Sequence, residues 1–197
     1  MLCNNNNKFV FVHIQKTAGS SMRTILKTLP GTHSICGTHS FLKDCNYQQD
    51  YYKFVFVRNP WDRLVSWYNM HKKLGPHNDF AKYLMEGTNN ISDFLKKTNV
   101  ITDYPKKGFS VRKSITYNQL DYISDDDGNI LVDFIGKFEN LNEDVLTVGK
   151  NIGLPNMALP VVNKLRNDSY RTYYTDEDIE IVAKMYKRDI EYFGYTF

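Results

Sequence analysis

The chain has 197 residues, with 25 Lys plus Arg against 22 Asp plus Glu, for a formal net charge of +3. Hydrophobic residues make up 42% and charged residues 24%, which excludes wholesale disorder and leaves enough apolar surface for a buried core. So mild a charge also excludes a general nucleic-acid binder, whose basic surplus is normally much larger, and it predicts that any anion site is local.

The length fits one domain over residues 1–197. Three cysteines, Cys3, Cys36 and Cys45, show no metal-ligand spacing and are odd in number. They read as reduced thiols of a cytoplasmic protein. No apolar run approaches the roughly 18–20 residues that span a bilayer. The opening MLCNNNNK leaves no room for a signal peptide before a strand expected from about residue 8, so a chain without a membrane anchor is expected.

In chain order, Phe9 to Ile14 is a continuous apolar run suited to a strand buried on both faces. It leads through Gln15 to Ser21, a turn of small residues, into a helix marked by Met22, Ile25, Leu26 and Leu29 and stopped by Pro30-Gly31. A short polar helix is expected around Ser40 to Cys45. Lys53 to Val57 repeats the buried-strand pattern, and Asn59 then Pro60 supply the N-cap and first residue of a second helix. Gly75 to Lys113 is polar and weakly helical, with Ser92 as a cap, and is expected to face substrate. Leu120 to Phe138 reads as a hairpin turning at Asp127-Gly128, and Leu141 to Ile152 as a helix. A last helix begins at Thr175 with a capping-box pattern and buries Ile179, Val182, Tyr186, Ile190 and Phe193.

The first strand-to-helix turn carries the strongest chemical signal. Small residues there present backbone N–H groups at a helix N-terminus, Lys16 adds a full charge, and Thr17, Ser20 and Ser21 add hydroxyl donors around Ala18 and Gly19. Such a loop suits a phosphate, yet it is not a Walker A sequence, because Lys16 precedes Gly19. Farther on, Arg58 ends a strand, and Ser66 stands seven residues beyond Asn59, so it returns to nearly the same helical face. A guanidinium fork and a hydroxyl there suit a second phosphate. Taken alone, the loop also reads as an ordinary strand–helix connection, while Arg58 is more often a solvated strand end and Ser66 more often a hydroxyl bonded back to its own helix.

Together, His13-Ile-Gln-Lys-Thr-Ala-Gly-Ser-Ser21 and Arg58-Asn-Pro-Trp-Asp-Arg-Leu-Val-Ser-Trp-Tyr68 resemble the two phosphate motifs of sulfotransferases that use 3′-phosphoadenosine-5′-phosphosulfate (PAPS), of the carbohydrate and heparan-sulfate 2-O type. Gln15 stands where that family has Pro. Asp133 to Leu141 and Asn163 to Tyr170 resemble its later segments. The resemblance implies an α/β chain with a P-loop-like three-layer fold, its central, mostly parallel sheet flanked by helices. It implies transfer of a sulfuryl group from PAPS to a hydroxyl, of a carbohydrate by the family type, releasing adenosine 3′,5′-bisphosphate. Lys16, Thr17, Ala18, Gly19, Ser20 and Ser21 would hold the 5′-phosphosulfate and Arg58 and Ser66 the 3′-phosphate. Lys164, Arg166, Ser169 and Tyr170 would close over the 3′-phosphate and adenine.

Sulfuryl transfer needs charge compensation on the leaving phosphate and a base for the acceptor hydroxyl. Lys16 suits the first task. His39, in a stretch resembling one where the family places His beside the sulfuryl group, is the expected base, with His33 and Glu139 as alternatives. His13 reads as structural, and His71 and His77 as solvent-exposed. No metal is expected. A nucleotide-dependent phosphotransferase and a non-catalytic nucleotide- or glycan-binding protein are the rival readings. Tyr68, Tyr83 and Tyr104 are candidates for stacking on sugar rings or for core packing.

Overall fold

Alternation of Phe with Val in two runs builds the centre of the molecule. In the computed structural model, which describes residues 1–99, 115–159 and 168–197, these runs form β2 (Phe9–Val12) and β4 (Tyr52–Val57). Side chains of a strand alternate between faces, so the rings gather on one side and the valines on the other. Phe54 stacks on Phe11 at 5.3 Å between ring centroids and lies 5.8 Å from Phe9, and Val10, Val12, Val55 and Val57 are equally buried.

The chain forms two compact units, Met1–Arg58 with Gln119–Asn163 and Asn59–Asn118 with Lys164–Phe197. The first contains a five-stranded sheet in the order β3-β1-β2-β4-β5, where β1 is Leu2–Asn4, β3 Thr32–Ser34 and β5 Phe134–Lys137. β2 pairs parallel with β4, and β4 with β5, whereas β1 is antiparallel to both β2 and β3. The sheet is therefore mixed, and the expected mostly parallel sheet is corrected. The difference comes from the opening Asn run, which is a structural turn. Asn4 is fully buried, its side chain donating to the Pro30 carbonyl and to Thr32 Oγ1 and accepting from the Asn7 N–H, so the chain reverses and β1 lies antiparallel along β2.

Two helices of this unit, α1 (Gly19–Leu26) and α5 (Leu141–Asn151), cover the aromatic face with Met22, Leu26, Val145 and Val148. The expected hairpin over Leu120 to Phe138 is also corrected. The Asp125 carboxylate accepts from the N–H groups of Asp127 and Asn129 and closes a local turn, leaving one bridge between Ser124 and Ile130. The apolar return instead joins β4 as β5. The polar helix expected near Ser40 is a single 3-10 turn, Leu42–Asp44. Cys36 and Cys45 form a disulfide around it, with Cα atoms 5.9 Å apart, which corrects the expectation of three reduced thiols. Cys3 alone is free, and burial raises its thiol pKa.

The second unit holds α2 (Pro60–Leu74), α3 (Asp79–Met85), α4 (Ile91–Asn99), α6 (Asp176–Met185) and α7 (Lys187–Phe193). Asn59 caps α2 as expected, accepting from the N–H groups of Trp61 and Asp62. Thr175 and Asp178 complete the expected capping box. The single last helix expected beyond it is broken at Tyr186 into α6 and α7. Ser92 is not a cap: Asn90 takes that role toward the Asp93 N–H, and Ser92 donates to Asp178 at 2.7 Å. His71 is buried rather than exposed, stacked between Trp67 and His77.

Gly136 in β5 permits the close packing of the aromatic face, because a Cβ there would lie 2.5 Å from Cε1 of Phe56. Gly136→Ala is expected to lower stability by about 1–3 kcal/mol in urea unfolding. Phe56→Leu in the same chain should recover part of that loss; a Gly136→Ala variant as stable as the parent would show the contact to be soft.

Candidate active site

Parallel strands release their following loops at one edge of a sheet, the usual place for chemistry in α/β folds. β2 ends before His13, β4 before Arg58 and β5 before the 3-10 turn Phe138–Asn140. In the loop after β2, Lys16 and Ala18 both adopt left-handed backbone, with φ of 68° and 66°. Neither is glycine, so each costs on the order of 1 kcal/mol, and strain retained in a loop points to a functional constraint. Left-handed residues in such a turn aim neighbouring N–H groups toward one concavity, an arrangement that attracts anions. Thr17 is buried, and its hydroxyl donates to the Ile14 carbonyl at 3.0 Å, so its side chain stiffens the loop. Ser21 is buried and Ser20 exposed on the first turn of α1.

Gly19 is required by His13. A Cβ at this position would fall within the His13 ring, which also stacks on Phe11 at 5.8 Å. Burial above all, then the nearby His39 and Arg23, lowers the His13 pKa to about 2. This imidazole is neutral at any physiological pH, in keeping with its expected structural role. Burial, then the neighbouring Arg58, lowers the Lys16 pKa from 10.5 to about 8. Bringing an anion to this loop would offset that cost.

Arg58 is buried and heavily restrained. Its guanidinium donates from Nη1 to the Lys16 carbonyl at 3.1 Å and lies 3.9 Å over the centre of the Phe138 ring. Its backbone is held by Gln119, whose Oε1 accepts from the Arg58 N–H and whose Nε2 donates to the Arg58 carbonyl, both at 2.8 Å. Gln119 belongs to none of the motifs read from the sequence, and Phe138, though inside the Asp133 to Leu141 segment, has no role assigned there; the contacts of both with Arg58 arise only through tertiary proximity.

His39 bonds through Nδ1 to the His13 carbonyl at 2.9 Å, with the two rings 4.4 Å apart. A carbonyl can only accept, so Nδ1 carries the proton and neutral His39 keeps a lone pair on Nε2. The structure therefore brings Lys16, Arg58 and His39 around one loop. His33 lies exposed on β3, at the sheet edge, against the Gly31 carbonyl, and Glu139 is exposed in the Phe138 turn.

The remaining predicted residues belong to the second unit. Ser66 is half-buried on α2. Ser169 caps the 3-10 turn Tyr170–Tyr173, and Tyr170 accepts from Asn59 Nδ2 at 3.4 Å. Tyr68 is a core residue, its hydroxyl bonded to the Asn89 carbonyl at 3.1 Å, which removes it from the sugar-stacking candidates. Lys164, Arg166 and Tyr104 lie outside the described residues. Among the described residues no cluster of three or more His, Cys, Asp or Glu is placed to hold a metal ion, and no helix is long and apolar enough to cross a membrane.

Replacing Gln119 with Leu would strand the buried N–H and carbonyl of Arg58. A loss of about 1–3 kcal/mol for each stranded group is expected in urea unfolding, and wild-type stability in that variant would show that water replaces the side chain. The chain is 31% identical over 121 residues to an uncharacterised protein of Archaeoglobus fulgidus, a match covering 61% of this chain and 83% of that one. No solved structure matches it. The profile of the sulfotransferase family matches residues 1–196, nearly the whole sequence, and the chain belongs to that family.

Proposed function

We propose that the chain, acting as one sulfotransferase domain over residues 1–197, transfers the sulfuryl group of PAPS to a hydroxyl, on a carbohydrate. Family membership supports sulfuryl transfer in general. The observation that carries the donor reading is the strained Lys16 loop, a partly desolvated lysine on a left-handed turn with Arg58 fastened to its carbonyl. A nucleotide with two separate anionic groups, the 5′-phosphosulfate and the 3′-phosphate, suits so cationic a place.

In this reading the acceptor O–H gives its proton to Nε2 of His39 while the acceptor oxygen bonds to sulfur. The bond from sulfur to the 5′-phosphate oxygen breaks, and the electron pair leaves on adenosine 3′,5′-bisphosphate, where Lys16 compensates the new charge. The His13 carbonyl supports His39 as base, since it accepts from Nδ1 and orients the imidazole with Nε2 as its basic nitrogen. Thr17, Ala18, Gly19, Ser20 and Ser21 are assigned to the 5′-phosphosulfate and Arg58 with Ser66 to the 3′-phosphate. Lys164, Arg166, Ser169 and Tyr170 are assigned to the nucleotide's outer side. The cytoplasmic expectation rested on reduced thiols, and the Cys36–Cys45 disulfide removes that support.

Adenosine 3′,5′-bisphosphate is expected to stabilise the chain more than 5′-AMP in a thermal-shift assay. At a hundred times its Kd it would add roughly 2.7 kcal/mol. Equal shifts from the two nucleotides would remove the 3′-phosphate assignment.

The second expectation concerns pH. Free Lys16 loses its proton near pH 8, so affinity for adenosine 3′,5′-bisphosphate should decline as pH rises through that value. Stability of the unliganded chain should change in the opposite sense, rising between about pH 8 and 10.5, because there the unfolded lysine binds a proton that the folded one does not. Lys16→Arg, charged throughout, should bind the nucleotide with no inflection near pH 8; an inflection surviving in that variant would assign the titration to another group.

A further inference from the structure

We propose that Tyr122 is a positioning residue that sets the Lys16 loop and the His39 loop in register; this rests on the sulfotransferase reading above. Tyr122 lies outside both phosphate motifs, at the end of the 3-10 turn Leu120–Tyr122, and is fully buried. Its two ends serve different loops. The hydroxyl donates to Oε1 of Gln15 at 3.2 Å, and Gln15 immediately precedes Lys16. The ring meets Phe41 edge-on at 5.2 Å, and Phe41 lies two residues after His39, inside the ring that the Cys36–Cys45 disulfide closes.

The turn that carries Tyr122 is itself immobilised. The Leu131 N–H donates to the Ile123 carbonyl at 2.8 Å, and Ser124 Oγ donates to the Leu120 carbonyl at 2.9 Å. The segment begins at Gln119, which grips the backbone of Arg58. Gln119 and Tyr122, three positions apart, thus reach Arg58, the residue before Lys16, and the loop of His39. A buried tyrosine hydroxyl needs some partner, and a backbone carbonyl would satisfy it. Here the partner is a side chain on the anion-binding loop, at the position where the family motif has Pro. In-line transfer requires the base and the leaving-group cation to hold a fixed separation, and an error of about 1 Å can cost on the order of a hundredfold in rate.

The test uses the full chain, without reductant, in four forms: wild type, Tyr122→Phe, Gln15→Met and the double variant. Release of adenosine 3′,5′-bisphosphate from PAPS is followed with a panel of simple glycosides as acceptors and water as the background acceptor. Tyr122→Phe keeps the ring and its packing. It is expected to lower kcat about tenfold to a hundredfold while KM for PAPS and affinity for adenosine 3′,5′-bisphosphate stay within about twofold. Gln15→Met should match it, and the double variant should be no worse than either single one, since both changes remove one interaction. An unchanged kcat in Tyr122→Phe, a parallel loss of nucleotide affinity, or additive losses in the double variant would each overturn the proposal. Should wild type neither bind the bisphosphate nor turn over PAPS, the donor reading fails, and amide hydrogen exchange decides the coupling separately. Faster exchange in both 14–18 and 37–44 in Tyr122→Phe supports it; a change in one segment alone, or in neither, overturns it.

Discussion

The grip on Arg58 is the interaction on which the rest of the site depends. This residue ends the central strand, and three neighbours use it at once: Gln119 takes both backbone polar groups, the Lys16 carbonyl takes a guanidinium donor, and the Phe138 ring lies beneath its plane. A buried guanidinium is costly unless its donors are occupied and its faces covered, and this arrangement does part of each. Because one of its acceptors is the backbone of Lys16, the residue that anchors the second motif also braces the first.

Burial at the site works against positive charge on its side chains. Burial and Arg58 act on Lys16, and burial, His39 and Arg23 act on His13, so both side chains hold their protons less readily than they would in water. Two residues of the loop add backbone strain that glycine would relieve. Stability given up in this way is a common feature of functional sites, since an anion of the right shape returns it on binding. The histidines divide along the same physical line. His13 is buried against Gly19 and permanently neutral, and its useful contribution is the carbonyl that orients His39.

Much of this was legible in the sequence because it depends on short-range chemistry. Continuous apolar runs announced β2 and β4, Asn59-Pro60 announced the start of α2, Thr175 with Asp178 announced α6, and the order of Lys16 and Gly19 separated the loop from a Walker A turn. The errors came where a polar residue acts at a distance. Asn4 reads as part of a polar tract, yet it is buried and holds the turn that makes the sheet mixed. His71 looks like the exposed end of a helix until Trp67 and His77 enclose it.

The sequence by itself therefore determined the strand–loop–helix units, the loop's cationic and hydroxyl content, and membership of the sulfotransferase family. Periodicity, capping and local charge act within a few residues, and a one-dimensional text records them. Only the tertiary structure decided the direction of β1, the Cys36–Cys45 link, the bond that ties His39 to the His13 carbonyl, and the parts played by Gln119, Tyr122 and Phe138. The disulfide and the side-chain bonds among these join residues 9 to 107 positions apart. Such contacts form because a buried polar group is costly without a partner, and no local pattern names which one it finds.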